Sequence, residues 1–179
     1  MLTDNLILNT DSYKVTHAKQ YPAGTQTVYS YLESRGGEFH ETVFFGLQYI
    51  LKRYFLKPIT QEDIEEAASF YQMHFGNDKL FNREGWEYIV NVHGGKLPIS
   101  IKAVKEGTVV PVKNVLMTIE NTDPKCHWLT NYLETLLLQV WYPISVATLS
   151  REMKKVILAS LEKTGDPSLI PFKLHDFGF

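Results

Sequence analysis

Two segments, Ile99-Ser100-Ile101-Lys102-Ala103 and Val115-Leu116-Met117-Thr118-Ile119-Glu120, decide the fold class of this chain. Apolar residues alternate with mainly polar ones in both, which is the pattern of half-buried strands. Turn signals at Glu106-Gly107 and at residues 111–114 separate the segments and predict short antiparallel strands. Residues 27–35 alternate in the same way and predict a further strand. Helical spacing surrounds these segments, so the sequence predicts an α+β fold.

Three helices are predicted between the strands. Apolar residues recur every three or four positions from Phe45 to Leu56, which is typical of an amphipathic helix. A second helix begins at Thr60, whose hydroxyl can accept a hydrogen bond from an exposed amide, and Gly76 offers a left-handed stop. A third covers about Glu84–Val92 and ends at Gly94-Gly95.

Longer helices follow the strands. Asp123-Pro124 is a typical helix start, and the helix that follows up to Trp141 is apolar on more than half of its circumference, so we expect it to be mostly buried. Pro143 is expected to separate it from another helix, about Ile144 to Lys163. Ile170–Leu174 then predicts a strand that leads into His175-Asp176-Phe177-Gly178.

Composition excludes several classes of protein. The 179 residues are 44% hydrophobic and carry a net charge of −2, so no basic surface for nucleic acid or an anionic membrane is expected. The single Cys126 cannot form an internal disulfide, and neither a signal peptide nor a membrane-length apolar run is recognisable. These features predict a reduced, cytoplasmic protein that acts on a small molecule or another protein.

The common sequence motifs of metal-binding, nucleotide-binding and hydrolytic sites do not identify an active site in this chain. The six histidines are far apart without an HxxxH spacing, so we predict no metal site. No Walker loop, dinucleotide fingerprint or Gly-x-Ser-x-Gly is present, and Gly36-Gly37 and Gly94-Gly95 are interpreted as turns. His175-Asp176 at a strand end could line a ligand crevice, or could be a satisfied polar pair beside core residues. Asp11-Ser12-Tyr13 is open to the same two interpretations, so these patterns alone leave the function open.

Five longer segments carry a resemblance to a known family. In order along the chain they closely resemble nicotinamide phosphoribosyltransferases, and the match covers essentially the whole chain. The segments are Asn9-Thr10-Asp11-Ser12-Tyr13-Lys14-Val15-Thr16-His17, Glu41-Thr42-Val43-Phe44-Phe45-Gly46-Leu47-Gln48-Tyr49-Ile50, Glu120-Asn121-Thr122-Asp123-Pro124, Trp141-Tyr142-Pro143-Ile144-Ser145-Val146-Ala147-Thr148 and Lys173-Leu174-His175-Asp176-Phe177-Gly178.

The resemblance implies the domain organisation. Residues 1–165 would be the N-terminal α+β domain of a type II phosphoribosyltransferase with its connecting helices. Residues 166–179 would be the first strand of an α/β barrel whose remainder lies beyond this chain. The family pairs as a head-to-tail homodimer with each active site built across the interface.

The resemblance also implies the chemistry. These pentosyltransferases join nicotinamide to 5-phosphoribosyl 1-pyrophosphate in NAD salvage, giving nicotinamide mononucleotide and pyrophosphate, with Mg²⁺ and ATP as cofactors. The ring nitrogen attacks the anomeric carbon as pyrophosphate leaves. The catalytic and phosphate-binding residues would follow Phe179, so the isolated chain is expected to be inactive and to bind neither cofactor.

Five residues of this sequence match binding residues of the family. Phe177 would form one face of a slot for the nicotinamide ring and Tyr13 of the partner subunit the other. Asp11 would lie near the ribose or the ring, His175 would line a channel to the site, and Arg35 would lie towards the phosphates. For Asp11, Arg35 and His175 a scaffold role, as an ion-paired or hydrogen-bonded residue, is the alternative.

Two other functions stay open at this point. A short chain of this kind could be a non-catalytic dimerisation or regulatory module that pairs with longer subunits. It could also belong to the nicotinate branch of the superfamily, although the Asp11–Lys14 and His175–Gly178 motifs favour the nicotinamide branch. Because the last two helices and the strand Ile170–Phe179 would pack against the barrel, they are expected to leave a large apolar surface exposed in this chain.

Overall fold

The computed structural model describes residues 4–175 and contains, within them, five strands and six α-helices. The strands are β1 (Tyr29–Glu33), β2 (Glu41–Val43), β3 (Ile99–Ala103), β4 (Val109–Pro111) and β5 (Val115–Asn121). The helices are α1 (Leu47–Ile50, continued by a π-helical turn, Leu51–Phe55), α2 (Gln61–Phe75), α3 (Arg83–His93), α4 (Leu129–Tyr132), α5 (Glu134–Leu138) and α6 (Trp141–Thr164). Short 3-10 helices cover Leu6–Leu8, Ser12–Lys19, Pro124–Cys126 and Pro167–Phe172.

Both sheets are antiparallel, so the predicted α+β class is confirmed. Strand β5 lies between β1 and β3, and its Ile119 pairs with Ser30 on one side and Ile101 on the other. Strands β2 and β4 form a separate two-stranded sheet in which Thr42 pairs with Val110. Strand β2 was not predicted, because three residues are too few to show alternation.

The core lies between the three-stranded sheet and the helices. Trp86 of α3 is fully buried and meets Trp128 and Tyr132 edge to face, with ring centroids 5.0 and 5.2 Å away. Each such aromatic pair contributes about 0.5–1.5 kcal/mol beyond the area that it buries. Leu129 and Leu133 are buried as well, which confirms that the segment after Asp123 is mostly buried.

Local signals place the ends of α2 and α3. Thr60 and Asp63 form a reciprocal capping box at the start of α2, and Gly76 ends it with a φ of +64°. Gly94, at a φ of +59°, ends α3 in the same way. Both helices therefore begin and end close to the predicted residues.

The path around Pro143 differs from the prediction. The segment after Asp123 is divided into the 3-10 turn, α4 and α5, and Pro143 lies in the first turn of α6 instead of separating two helices. A proline at that position costs little, because the first amides of a helix have no intrahelical acceptor. Its ring would clash with the carbonyl of Gln139 in one continuous helix, so the chain turns at Gln139–Val140.

The end of the described chain also differs. Residues 167–172 form a 3-10 helix capped by Asp166, not the first half of a strand at 170–174. A strand needs a hydrogen-bonded neighbour, and neither sheet within residues 4–175 extends beside this segment. Several large apolar side chains of α6 and this turn are exposed, as expected: Trp141, Tyr142, Leu149, Met153, Val156, Leu169 and Phe172. Across the described range, none of the helices combines the length and apolar character needed to span a bilayer.

Candidate functional site

The predicted ring-stacking residue Tyr13 lies at the start of the 3-10 helix Ser12–Lys19 and is 60% exposed. Its hydroxyl donates a hydrogen bond to Asp11 Oδ2 at 3.2 Å. One side of the ring meets His17 at a centroid distance of 5.4 Å. The phenol end is thus fixed while much of the ring remains open to a ligand or another subunit.

Asp11 precedes this helix but does not cap it with its side chain. Its carboxylate instead accepts a hydrogen bond from Thr135 Oγ1 at 2.8 Å, and the Asp11 amide donates to the same hydroxyl at 3.2 Å. The Thr135 hydroxyl holds the pKa of Asp11 below its usual value, assisted by Lys14 and Tyr13 and opposed by partial burial. Asp11 is therefore an anion at neutral pH that is fixed by groups from two parts of the chain.

Lys14 supplies the positive charge of this cluster. Its side chain is buried, and its Nζ lies 2.7 Å from Glu134 and 3.4 Å from Asp11. A buried ammonium is stable only when it is paired, so the two carboxylates account for its position. Loss of hydration and the neighbouring Asp11 carboxylate raise the pKa of Tyr13, which keeps the phenol protonated as the donor.

Arg35 lies in a separate cleft of about 490 Å³ between the end of β1 and the start of α6. Its guanidinium forms no ion pair with any described residue and is exposed. The lining includes Trp141 and Thr148, but also Glu33, Glu38 and Glu41. The cleft is therefore mixed in charge, with Glu41 already paired to Arg151 at 3.1 Å.

A smaller pocket of about 270 Å³ lies between the Asp11–Tyr13 cluster and the Arg35 cleft. Glu134 of the cluster lines it, and it shares Leu32 and Leu138 with the Arg35 cleft. Helix α5 therefore borders both places, although the structure does not bring Arg35 into contact with Tyr13. The smaller pocket has a mixed lining, with Ser30, Asn131 and Glu134 beside Leu137 and Leu138, and it joins the Asp11–Tyr13 cluster to the Arg35 cleft.

The remaining predicted residues lie elsewhere. His175 is exposed near the end of the described chain, and its Nε2 lies 3.2 Å from the carbonyl oxygen of Phe172. Phe177 lies outside the described residues. The alternative scaffold role applies to Asp11 in part, since its carboxylate is hydrogen-bonded within this chain.

Sequence reasoning missed the partners that fix Asp11. Thr135 is 124 positions away from it, so no local pattern links them. A signal was present, because the polar pair Glu134-Thr135 lies between Leu133 and Leu136 in a segment that is predicted to be mostly buried. Polar residues inside such a segment need partners, and here the partners are Lys14 and Asp11.

One group of metal-ligating side chains occurs within the described residues. A ring nitrogen of His93, a carboxylate oxygen of Asp123 and the sulfur of Cys126 lie within 4.8 Å of one another. The group belongs to the end of α3 and the turn after Asn121, and none of its members lines the pockets next to Asp11 or Arg35. No spacing rule indicated it, because His93 is 30 positions from Asp123.

Comparison with known proteins connects these features to one family. Residues 5–101 match the family model described as nicotinamide phosphoribosyltransferase, N-terminal domain. The chain is 53% identical over 177 residues to the nicotinamide phosphoribosyltransferase of Xanthomonas campestris pv. campestris (strain 8004), which covers 98% of this chain and 37% of that protein. It is 31% identical over 169 residues to the nicotinamide phosphoribosyltransferase of Acinetobacter baylyi, covering 87% of this chain and 34% of that protein.

A solved structure supports the same fold. The crystal structure of human nicotinic acid phosphoribosyltransferase matches with a TM-score of 0.58 at 22% identity, over 83% of this chain and 28% of that one. At this identity the likeness concerns the fold alone. The chain covers 37% of the length of the Xanthomonas relative and 34% of the length of the Acinetobacter relative, which is little more than a third of each.

Proposed function

Because the chain belongs to the nicotinamide phosphoribosyltransferase family, we propose that it is the N-terminal portion of an enzyme that transfers a phosphoribosyl group to nicotinamide. In this proposal residues 1–165 form the first domain, and residues 166–179 lead into an α/β barrel. The enzyme is a pentosyltransferase that forms nicotinamide mononucleotide and pyrophosphate in NAD salvage. The observation that carries the proposal is the exposed Tyr13 ring, held at its hydroxyl, inside the region that matches the family model.

The geometry of Tyr13 suits a flat, polarised ring. An offset stack with an aromatic side chain contributes about 0.5–1.5 kcal/mol beyond buried area. The Asp11 hydrogen bond restricts the Tyr13 ring before the ligand arrives, which lowers the entropy lost on binding. Correct alignment of the ring nitrogen towards the anomeric carbon is the larger benefit, because orientation contributes strongly to catalysis.

The other site residues have complementary roles in the proposal. Phe177 of one subunit forms the second face of the slot for Tyr13 of the other, which requires a homodimer. Asp11 positions Tyr13 and keeps enough exposure to accept a hydrogen bond from a ribose hydroxyl. His175 lines the approach to the slot.

Arg35 provides a cation for the phosphates. Its guanidinium is free of ion pairs among the described residues and opens onto a cleft large enough for a sugar phosphate, about 490 Å³. Guanidinium groups bind phosphate oxygens through paired N–H donors. The acidic residues of the same cleft reduce its net attraction for anions, so Arg35 contributes to phosphate binding without being sufficient for it.

Mg²⁺ and ATP are the cofactors of the proposed enzyme. The side chains described in this chain do not suit Mg²⁺, because the one group of three metal ligands includes a thiol and an imidazole, whereas Mg²⁺ requires oxygen ligands. In this proposal both cofactor sites and all catalytic residues belong to the part of the enzyme outside this chain. The isolated chain is then inactive, and the enzyme acts in the cytoplasm, where the free Cys126 of this chain would stay reduced.

The test compares the 179-residue chain with a form extended to the length of its relatives. We expect nicotinamide mononucleotide only from the extended form. In that form, Tyr13→Ala should raise KM for nicotinamide, whereas Tyr13→Phe, which keeps the ring, should retain most of the binding. Product from the isolated chain, or an unchanged KM in Tyr13→Ala, would contradict the proposal. Replacing nicotinamide by nicotinate in the same assay distinguishes the two branches of the superfamily.

A second candidate function is a dimerisation or regulatory module, and the exposed apolar surface of α6 favours it. Trp141, Val156 and Phe172 are available for another chain. Co-expression with the extended form would show a mixed complex of altered activity if this function is real. Failure of the two forms to associate would exclude it.

A further inference from the structure

We propose that His93, Asp123 and Cys126 form a site for one borderline divalent transition metal, with Zn²⁺ as the best-matched ion. Their ligand atoms lie within 4.8 Å of one another, whereas ligand atoms around a tetrahedral Zn²⁺ lie about 3.3–3.5 Å apart, so binding would draw the three side chains together by up to about 1.3 Å. Imidazole, carboxylate and thiolate are the three ligand types that Zn²⁺ uses in proteins. This site is independent of the phosphoribosyltransferase proposal, because it shares no residue with the Tyr13 cluster or the Arg35 cleft.

Two rigid elements hold the three side chains together. His93 is the last residue of α3, which Gly94 ends in a left-handed turn. Asp123 caps the 3-10 helix Pro124–Cys126 and places Cys126 one turn further on. The edge-to-face contact of Trp86 with Trp128 packs α3 beside this turn, so the ligands do not depend on a loose loop.

The Asp123 carboxylate is already oriented. Its Oδ1 accepts a hydrogen bond from the Lys125 amide at 2.9 Å, and its Oδ2 accepts one from the Tyr88 hydroxyl at 2.9 Å. The hydrogen bond from the Lys125 amide is the main cause that lowers the pKa of Asp123. His93 and Tyr88 lower this pKa further, whereas partial burial opposes them. Asp123 is therefore ionised at neutral pH and supported in the way that outer hydrogen bonds support metal ligands.

The contact between His93 and Asp123 is where a metal and a proton would compete. Nε2 of His93 lies 2.8 Å from Asp123 Oδ2, a hydrogen-bond distance. Two such atoms bound to one Zn²⁺ at about 2.0 Å each lie about 3.3 Å apart in tetrahedral geometry. The ion takes the place of the proton between these two atoms, which the neutral imidazole then carries on Nδ1, and the imidazole, whose side chain is 27% exposed, moves by about half an ångström.

Cys126 completes the charge balance. Its side chain is fully buried, and burial together with the Asp123 charge raises the pKa of the thiol to about 12. A nearby divalent cation reverses both effects and leaves a thiolate, with release of one proton. One thiolate and one carboxylate neutralise the ion, and a water molecule would supply the fourth ligand of a tetrahedral site.

The experiment titrates Co²⁺, as a spectroscopic substitute for Zn²⁺, into the 179-residue chain under reducing conditions. We expect visible ligand-field bands of a tetrahedral ion and a near-ultraviolet thiolate-to-cobalt absorption, both removed by one equivalent of Zn²⁺. Cys126→Ser should abolish the near-ultraviolet absorption, and His93→Gln should weaken binding at least tenfold. Zn²⁺ should raise the Tm of the unsubstituted chain and not that of either variant.

The His93 side chain is 27% exposed, so His93→Gln tests the site even if Cys126→Ser, at a buried position, fails to fold. Circular dichroism of both variants without metal establishes which of them is folded. The absence of thiolate absorption at millimolar Co²⁺ in the unsubstituted chain would overturn the proposal. Equal Co²⁺ affinity in folded His93→Gln would overturn it as well, and neither outcome would bear on the phosphoribosyltransferase function.

Discussion

Thr135 is the residue on which the geometry of the Asp11–Tyr13 pair depends most. Its hydroxyl donates to Asp11 Oδ2 at 2.8 Å and accepts from the Asp11 amide at 3.2 Å. Thr135→Val removes both hydrogen bonds and keeps the branched shape of the side chain. Thr135→Ser keeps the hydroxyl and is the matched control.

The structure sets the size of the effect. A hydrogen bond contributes about 0.5–1.5 kcal/mol net to the free energy of unfolding. The side chain of Asp11 is 41% exposed, so water replaces much of the lost bond to it, and the lower part of that range applies. We therefore expect Thr135→Val to lower the free energy of unfolding by about 1 kcal/mol at neutral pH, and Thr135→Ser by about half of that or less.

The effect should depend on pH in a defined direction. The Thr135 hydroxyl is the largest cause that lowers the pKa of Asp11 below the reference value of 3.8. A carboxyl group whose pKa is lowered by folding adds stability above its unfolded pKa and loses that contribution as the pH falls through its folded pKa. The deficit of Thr135→Val should therefore be present at pH 7 and shrink in acid below pH 3.8.

Urea unfolding at neutral and acidic pH measures the stability change, and NMR titration of the Asp11 carboxyl measures its pKa. We expect the pKa of Asp11 to rise in Thr135→Val and to stay lowered in Thr135→Ser. A loss of stability in Thr135→Ser with none in Thr135→Val would show that the methyl group, not the hydroxyl, matters. An unchanged pKa of Asp11 in Thr135→Val would refute the assigned cause.

Two further predictions concern the rest of the domain. Gly46 has a φ of +102°, and a Cβ there would lie 2.4 Å from Pro143 Cγ. Gly46→Ala should therefore lower the free energy of unfolding by about 2–3 kcal/mol. Gly76→Ala is the control, because Gly76 also has a positive φ but has open space around it, and it should cost about 1 kcal/mol. Equal costs in thermal unfolding would contradict the Pro143 contact. Val156 and Phe172 are about 70% exposed, so the 179-residue chain should self-associate in light scattering, and Val156→Lys with Phe172→Ser should reduce this. A wild-type chain that stays monomeric at high concentration would count against it.

Parts of the fold with local signals could be predicted from the sequence. The ends of α2 depend on Thr60 and Gly76, whose effects act within a few residues. Strand β2 and the turn at residues 167–172 depend on whether a neighbouring strand is present, which the local pattern does not contain. Pro143 has two acceptable positions, before a helix or within its first turn, and only the packing of the whole segment selects one.

In the candidate site too, contacts between residues close in sequence could be predicted, whereas contacts that depend on tertiary packing could not. Tyr13 and Asp11 were identified from the resemblance, and their contact in the structure follows from a spacing of two residues. Lys14 lies three residues from Asp11 in the same segment, residues 9–17, whereas Thr135 joins Asp11 through a tertiary contact and escaped the motif search. His93 reaches Cys126 in the same way, through the packing of α3 against the turn after Asn121.

The central claim is that Tyr13 and Phe177 of different subunits form one nicotinamide slot, and mixing two variants tests it most directly. In the extended form, Tyr13→Ala and Phe177→Ala should each lose most activity at low nicotinamide. Dissociating and reassociating an equal mixture creates mixed dimers in which one of the two sites has both aromatic residues. We predict recovery of about a quarter of wild-type activity, since half of the dimers are mixed. No recovery in verified mixed dimers would contradict a slot shared between subunits.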